Sequence, residues 1–309
     1  MKKLALAALA LSLMSSAAMA ANIGVSMAAF DDNFLTVLRN GLQDYASTMD
    51  GVQIQAEDAQ NDVAKQLSQV QNFIASGVDG IIVNAVDTSA TQPITAAAAA
   101  AGIPLVYVNR QPIDVDALGA KAAFVASNEV DSGTLETKEV CRLLGGKGNV
   151  LVMMGELSNQ AAVQRTADIH DVIATPECSG LKVIEEQTAN WSRTQGQDLM
   201  TNWLSAGLDF NAVIANNDEM AIGAIQALKA AGRDMSTVVV GGVDATQDAL
   251  AAMQAGDLDV TVFQNAAGQG KGALDAVLSL IKGEKVEQKV YVPFELVTPA
   301  NVADYAAKN

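Results

Sequence analysis

Polar side chains recur at positions where short apolar segments of the sequence end. These positions are Asn109, Arg110, Asn217, Asp244 and Gln264. In parallel α/β sheets the carboxyl ends of the strands face the ligand crevice, so these side chains are expected to lie together. Carboxylate, amide and guanidinium groups combine donors with acceptors, and this mixture suits a ligand that carries several hydroxyl groups.

Two aromatic residues, Phe34 and Trp191, are predicted near similar strand ends. The face of an aromatic ring packs well on the C–H face of a sugar ring. Each residue alone has an ordinary structural explanation, because Asp and Asn cap helices and Trp191 would also fit a hydrophobic core. The joint polar and aromatic pattern is what favours a site for a polyhydroxylated ligand.

Other chemistries lack the residues they would need. Residues 28–32, between the first predicted strand and its helix, contain no glycine and two acids, so a dinucleotide pyrophosphate would be repelled there. His170 is the only histidine, and no G-x-S-x-G motif accompanies it, which disfavours a Ser-His-Asp triad. One histidine and two cysteines are too few for a zinc cluster, so we expect no metal and no cofactor. Carboxylate pairs such as Glu185 and Glu186 leave a secreted carbohydrate-active enzyme as an alternative.

The chain alternates between predicted strands and predicted helices. Predicted strands span residues 22–27, 52–57, 80–84, 105–108, 122–126, 149–153, 182–186, 212–215, 238–242, 259–263 and 290–293. Short apolar strands separated by helices are typical of parallel sheets covered on both faces. The length of 309 residues suggests roughly two domains. We therefore predict two α/β lobes, each around a parallel sheet of about five or six strands.

Capping residues mark the ends of several predicted helices. Asp62 is expected to begin the second helix and Gly77 to end it, after a first helix over residues 33–47. The third helix carries Pro93 near its start, and Gly102 stands just past its end.

The first residues have the pattern of a secretory signal. Lys2 and Lys3 precede an apolar stretch over residues 4–14, and Ala18-Met19-Ala20 places small residues around a cleavage site after Ala20. A membrane anchor is the weaker interpretation, because the stretch is shorter than the roughly 20 residues that a span needs. We expect an exported chain in the periplasm. Removing the two lysines from the 19 bases leaves 17 against 35 acids, so nucleic acid is not an expected partner.

Export affects the interpretation of the two cysteines. Two cysteines in an oxidising compartment can form one disulfide. Cys141 lies late in a predicted helix, Cys178 follows another, and the two helices flank one strand, so a Cys141–Cys178 bridge is expected. The alternative is a pair of buried free thiols.

Five stretches of the chain, in their order and spacing, resemble the periplasmic sugar-binding proteins of ABC importers, of the ribose-binding type. They are 58–62 (DAQND), 80–89, 104–111, 215–224 (ANNDEMAIGA) and 241–245 (GGVDA). Within this family the chain is most similar to inositol- and rhizopine-binding proteins, on the residues at 28–41, 188–196 and 243–253.

The resemblance implies a periplasmic binding protein fold of type I, with two Rossmann-like lobes joined by three crossings. It implies a signal peptide over 1–20, an N-terminal lobe of 21–127 plus 265–292, and a C-terminal lobe of 128–264 plus 293–309. It also implies a ligand-binding set: Asp32, Phe34, Asn109, Arg110, Arg165, Trp191, Asn217, Asp244 and Gln264. Phe34 and Trp191 would cover the two faces of a ring, while Arg110 and Arg165 would come from different lobes.

Three positions, Asp32, Asn109 and Leu35, depart from the ribose binders that the chain resembles. Asp32 stands where those proteins place an asparagine, and Asn109 stands where they place an aspartate. A swapped acid and amide imply a different hydroxyl arrangement, such as a cyclitol presents. Asp32 and Asp244 would also suit an ammonium group on an amino-cyclitol.

The resemblance implies a solute-binding protein rather than an enzyme. It would capture a cyclitol or sugar, either myo-inositol or a rhizopine-like compound, and deliver it to an ABC permease. A ribose-, pentose- or polyol-binding protein of the same family is the alternative. A transcriptional regulator is disfavoured, because a signal peptide occupies the place of its helix-turn-helix. The protein is expected to be monomeric, and a chemoreceptor is a possible second partner.

Overall fold

The computed structural model describes residues 21–308, which form twelve strands and nine α-helices in near-strict alternation. The strands are β1 Ala21–Met27, β2 Val52–Asp58, β3 Gly80–Val83, β4 Leu105–Val108, β5 Ala122–Ala126, β6 Lys147–Met154, β7 Gly180–Thr188, β8 Ala212–Ala215, β9 Val239–Gly241, β10 Thr261–Gln264, β11 Lys289–Tyr291 and β12 Phe294–Val297. The helices are α1 Asn33–Ser47, α2 Val63–Ser76, α3 Gln92–Ala101, α4 Glu129–Leu143, α5 Gln160–Ile173, α6 Arg193–Ser205, α7 Asp218–Ala230, α8 Gln247–Gln254 and α9 Ala266–Ile281.

The first lobe is built on a parallel sheet of six strands in the order β11-β5-β4-β3-β1-β2. Every residue of β3 and β4 is buried, because helices cover both faces of the sheet. The carboxyl ends of β1, β3, β4 and β5 therefore meet along one edge, where a ligand crevice is expected.

The second lobe differs in part from the expectation of one parallel sheet of five or six strands. It contains a parallel sheet of four strands, β7-β6-β8-β9, and an antiparallel pair, β10-β12. Parallel bridges from Gly241 to Val260 and from Asp244 to Phe263 join β10 to the end of β9 and the segment that follows it, so only β12 runs against the direction of its neighbours. The sequence did not predict β12. The pattern predicts one last strand over residues 290–293, whereas the chain forms β11 in the first lobe and β12 in the second, with Pro293 between them.

Local signals in the sequence determine several helix boundaries as predicted. Asp32 and Asp62 cap α1 and α2, because their carboxylates accept from the amides of Leu35 and Lys65. Gly77 and Gly102 end α2 and α3 in the left-handed conformation, which glycine adopts without a steric penalty.

The chain crosses between the lobes three times, after β5, after β10 and after β11. Each lobe has its own hydrophobic core on the two faces of its sheet. These strand assignments support the lobe boundaries after residues 127, 264 and 292, which stay a proposal.

A disulfide joins Cys141, near the end of α4, to Cys178, just before β7, with the Cα atoms 5.8 Å apart. It lies wholly within the second lobe and ties the end of α4 to the turn between α5 and β7. The signal peptide and its cleavage after Ala20 fall outside the described residues. Over residues 21–308, no helix is long and apolar enough to cross a membrane.

Candidate functional site

One cavity between the two lobes brings together the whole residue set expected from the sequence. Its lining contains Asp32, Phe34, Asn109, Arg110, Arg165, Trp191, Asn217, Asp244 and Gln264. Leu35, which the sequence marks as a departure from the ribose binders, also lines the cavity, and sequence reasoning missed three further lining residues: Glu129, Asn159 and Ala161. Because both lobes contribute side chains, the complete cavity exists only while the lobes are in contact.

Strand ends position most of the polar groups. Asn109 and Arg110 follow β4, and Gln264 is the last residue of β10. Asn217 lies between β8 and α7, and Asp244 follows β9. The expectation that the carboxyl ends of the strands meet at a common crevice is therefore fulfilled in both lobes.

Asp32 is held at the start of α1, where its Oδ1 accepts from the Leu35 amide at 2.8 Å. Burial raises the pKa of this carboxyl, while the Leu35 amide and the Arg110 charge oppose the shift. Phe34, the second residue of α1, presents its ring to the same cavity.

The Arg110 guanidinium is anchored on the backbone of the first lobe. Its Nη1 donates to the carbonyls of Ala85 at 3.0 Å and Val86 at 3.3 Å. Burial lowers its pKa, and the Asp32 and Glu156 charges oppose that shift. The fixed guanidinium plane presents its other donors to the cavity in a defined direction.

The Asn109 amide is oriented by two neighbouring amides. Its Oδ1 accepts from Asn84 Nδ2 at 3.3 Å, and its Nδ2 donates to Gln269 Oε1 at 3.2 Å. The residue has a φ of +66°, a left-handed conformation that asparagine tolerates better than most residues. The backbone thus turns out of β4 and points this side chain at the cavity.

Arg165 is the centre of the second lobe's share of the site. Its Nε and Nη2 bind the two carboxylate oxygens of Glu129 at 2.7 and 3.1 Å. Nη1 donates to the Asn216 carbonyl at 2.6 Å, and Nη2 also reaches Gln264 Oε1 at 3.3 Å. The guanidinium carbon lies 5.7 Å from the centre of the Trp191 ring. Burial alone would lower the pKa of Arg165, but the Glu129 charge and hydrogen bonds outweigh it and raise the pKa.

Asp244 is almost completely buried, with 4% of its surface exposed. Burial raises its pKa well above the ordinary value, and the Arg165 charge only partly opposes this. The charges of Asp218, Asp32 and Glu129 raise it further. Asp32 and Asp244 therefore repel each other across the cavity, one from each lobe.

Trp191 forms one wall of the cavity and depends on Gly155 for its place. A Cβ atom at Gly155 would overlap the indole ring. The Trp191 carbonyl accepts from Asn217 Nδ2 at 3.3 Å, while Asn217 Oδ1 caps α7 through the Met220 amide at 3.1 Å. Asn217 is thus both a helix cap, as its residue type allowed, and a lining residue of the cavity.

His170 lies away from the cavity on the surface, where Nε2 is 2.7 Å from Glu186 Oε2. No group of residues able to hold a metal ion occurs in the described part of the chain.

The arrangement is suited to binding a small polar molecule. The cavity combines three carboxylates with two guanidiniums, together with the amides of Asn109, Asn159, Asn217 and Gln264. Hydrogen bonds from ionised groups are roughly twice as strong as neutral ones. Glu129 and Arg165 neutralise each other. Arg110 then faces Asp32 and Asp244, so the remaining charge is acidic by one unit when both carboxyls are ionised.

Comparisons with known proteins agree with this geometry. The sequence profile of the family described as periplasmic binding protein domain matches residues 23–285. A Rhizobium meliloti protein with a proposed rhizopine-binding role is 68% identical over 309 residues, all of both chains. The ribose import binding protein of Bacillus subtilis is 32% identical, over 89% of this chain and 87% of that one. A solute-binding protein of Bacillus halodurans C-125, solved with bound myo-inositol, superposes with a TM-score of 0.89 at 43% identity, over 96% of this chain and 100% of that chain.

Proposed function

The chain belongs to the periplasmic binding protein domain family, and from this premise we propose that it captures a cyclitol or sugar between its lobes and delivers it to an ABC permease. The observation that carries the proposal is the cavity in which charged, amide and aromatic side chains of both lobes converge. A ligand that contacts both lobes stabilises the closed form over the open one, because only the closed form adds the second set of contacts. The permease would recognise that closed form.

A cyclitol is the favoured ligand within this proposal. Asp32 and Asn109 exchange the acid and the amide relative to the ribose binders that the sequence resembles. The 43% identical structure that carries myo-inositol and the 68% identical relative with a proposed rhizopine-binding role point the same way. Ribose or another pentose or polyol is the alternative, supported by the ribose import relative at 32% identity.

An amino-cyclitol is a more specific form of the same proposal. Asp32 and Asp244 approach the cavity from opposite lobes. Burial raises the pKa of both carboxyls, and the Asp32 charge raises the pKa of Asp244 further. A ligand ammonium between them would relieve that repulsion as the lobes close. Neutral ligands would instead favour a protonated carboxyl, so the two ligand types differ in how their affinity changes with pH.

Calorimetric titration with myo-inositol, ribose and an amino-cyclitol at pH 5.5 and pH 7.5 tests these assignments. We expect the cyclitols to bind more tightly than ribose, and the amino-cyclitol to gain relative to myo-inositol at the higher pH. Equal pH dependence of the two cyclitols would refute the ammonium pair. Failure of every compound to bind would refute the proposed ligand class.

We also propose that the ligand leaves chemically unchanged. Glu129 is committed to Arg165 through two hydrogen bonds, so it is poorly placed to act as a catalytic acid or base. Incubating the protein with myo-inositol and recovering it intact by mass spectrometry is the expected result, and any turnover would favour an enzyme. Export after cleavage at Ala20, a monomeric state and a chemoreceptor partner belong to the same proposal.

A further inference from the structure

Two loops from different lobes are hydrogen-bonded to each other outside the cavity lining. Thr88 belongs to the first lobe, in a short 3-10 turn (Thr88–Ala90) between β3 and α3. Ser158 and Gln160 belong to the second lobe, at the start of α5. The Thr88 amide and hydroxyl both donate to the Ser158 carbonyl at 3.0 Å, and the Thr88 hydroxyl accepts from the Gln160 amide at 3.0 Å.

This contact completes the N-terminus of α5 with a residue from the opposite lobe. The first amides of a helix have no partner within the helix. Asn159 Oδ1 accepts from the Ala161 amide at 3.1 Å, which satisfies one of them. The Gln160 amide receives its partner from Thr88. When the lobes separate, water must replace that bond.

Thr88 is held firmly on its own lobe. Its carbonyl accepts from the Ile113 amide at 2.9 Å and from the Thr91 hydroxyl at 3.3 Å. Its hydroxyl is therefore presented to the other lobe by a fixed turn, so its two hydrogen bonds require little further ordering when the lobes meet.

We propose that Thr88 is a positioning residue that holds the closed form through a latch, defined as the contacts among Thr88, Ser158 and Gln160, and so sets ligand affinity and release. The inference rests on the proposed function. Thr88, Ser158 and Gln160 do not line the cavity themselves, although Asn159 between the last two does. We therefore expect the loss of the Thr88 hydroxyl to change the affinity for all ligands by a similar factor.

Features around the latch keep closure reversible. Within the described residues, Ser158 Oγ and Gln160 Oε1 are buried without a hydrogen-bond partner. Both groups would be hydrated in an open form, so closing the lobes loses that hydration. A second contact between the lobes, Asn33 Nδ2 to Glu219 Oε1 at 2.8 Å, is exposed to competing water.

Thr88→Val removes the hydroxyl and keeps the shape of the side chain. Two hydrogen bonds of about 1 kcal/mol each correspond to a roughly 30-fold weaker affinity, since 1.4 kcal/mol is tenfold. Thr95→Val is the matched control. The Thr95 hydroxyl bonds only within the first lobe, to the Thr91 carbonyl at 3.4 Å and the Tyr107 hydroxyl at 2.9 Å, so this variant should bind like the wild type.

The experiment combines calorimetric titration with myo-inositol and ribose and single-molecule energy transfer between the lobes. Dyes on Ala100→Cys and Ala206→Cys, both exposed and one in each lobe, report the separation without added ligand. Equal weakening for both titrants in Thr88→Val, or a more open ligand-free protein, supports the latch. Unchanged affinity together with unchanged separation overturns it while the proposed function stands. If neither titrant binds the wild type, the ligand assignment fails, and the distance between the lobes alone tests the latch. A larger distance in Thr88→Val than in the wild type supports the latch, and an identical distance overturns it.

Discussion

Removing the guanidinium of Arg165 should strongly destabilise the second lobe as well as abolish tight binding. Arg165→Met eliminates hydrogen bonds of 2.7 and 3.1 Å to Glu129, one of 2.6 Å to the Asn216 carbonyl and one of 3.3 Å to Gln264. It also leaves the Glu129 carboxylate, in a residue only 7% exposed, without its partner. Breaking a buried pair from one side costs about 3–5 kcal/mol, because a charge remains buried and uncompensated.

Urea unfolding followed by circular dichroism measures this loss. The double variant Arg165→Met with Glu129→Gln should be more stable than Arg165→Met alone, because it removes the orphaned charge. If the single variant lies within about 1 kcal/mol of the wild type, or if the two substitutions simply add, the account of a buried and mutually dependent pair is wrong.

A surface pair of the same residue types provides the control. Arg142 binds Glu139 with two hydrogen bonds of 2.8 and 2.7 Å, but the Arg142 side chain is 67% exposed. Arg142→Met should change the unfolding free energy by about 1 kcal/mol or less, since water replaces the lost contacts. Similar losses at both arginines would show that burial does not determine the cost.

Three further predictions follow from the geometry. Trp191→Ala should weaken myo-inositol binding at least about tenfold in calorimetry while the circular dichroism spectrum stays native. Gly155→Ala should have the same effect, because the new Cβ atom would overlap the indole ring. Loss of folding would place Trp191 in the core. Burial raises the pKa of Asp218 to about 7, so the folded protein holds a proton that the unfolded chain releases near pH 4, and the unfolding free energy should fall as pH rises from about 4 to 7. Asp218→Asn should make that fall smaller but not abolish it, because Asp244 contributes in the same direction; an unchanged slope would contradict the assignment. Replacing Cys141 and Cys178 by alanine should lower the unfolding free energy by about 4 kcal/mol, because the disulfide closes a loop of 37 residues in the unfolded chain. An unchanged urea midpoint would contradict this prediction.

Much of the fold is visible in the sequence because its signals are local. The predicted helix over residues 33–47 coincides with α1, since Asp32 caps it and apolar residues repeat along one face. The sequence does not predict β12, because β11 and β12 follow each other closely. Their three and four residues, with the crossing between them, form one short apolar stretch that has the pattern of a single strand. The two strands can be told apart only in the folded protein, where β11 pairs with β5 in the first lobe and β12 pairs with β10 in the second.

The residues of the site also differ in whether local sequence signals predict them. Residues at strand ends, such as Asn109 and Gln264, could be found from position and residue type. Glu129 could not, because an acid in the first turn of a helix is ordinary capping chemistry. Its partner Arg165 lies 36 residues further along the chain. Thr88 could not be predicted either, because its hydroxyl finds its partners, Ser158 and Gln160, only on the opposite lobe.

The two tryptophans of the chain differ in a way that gives the protein an internal optical signal. Trp203 is 3% exposed in the core of the second lobe, whereas Trp191 forms a wall of the cavity. Emission from Trp203 should stay constant on binding, while that of Trp191 should respond to a molecule placed against its ring. The difference spectrum would then come from one indole at a known place. Capture and release of a transparent, unlabelled solute could thus be followed in real time by fluorescence.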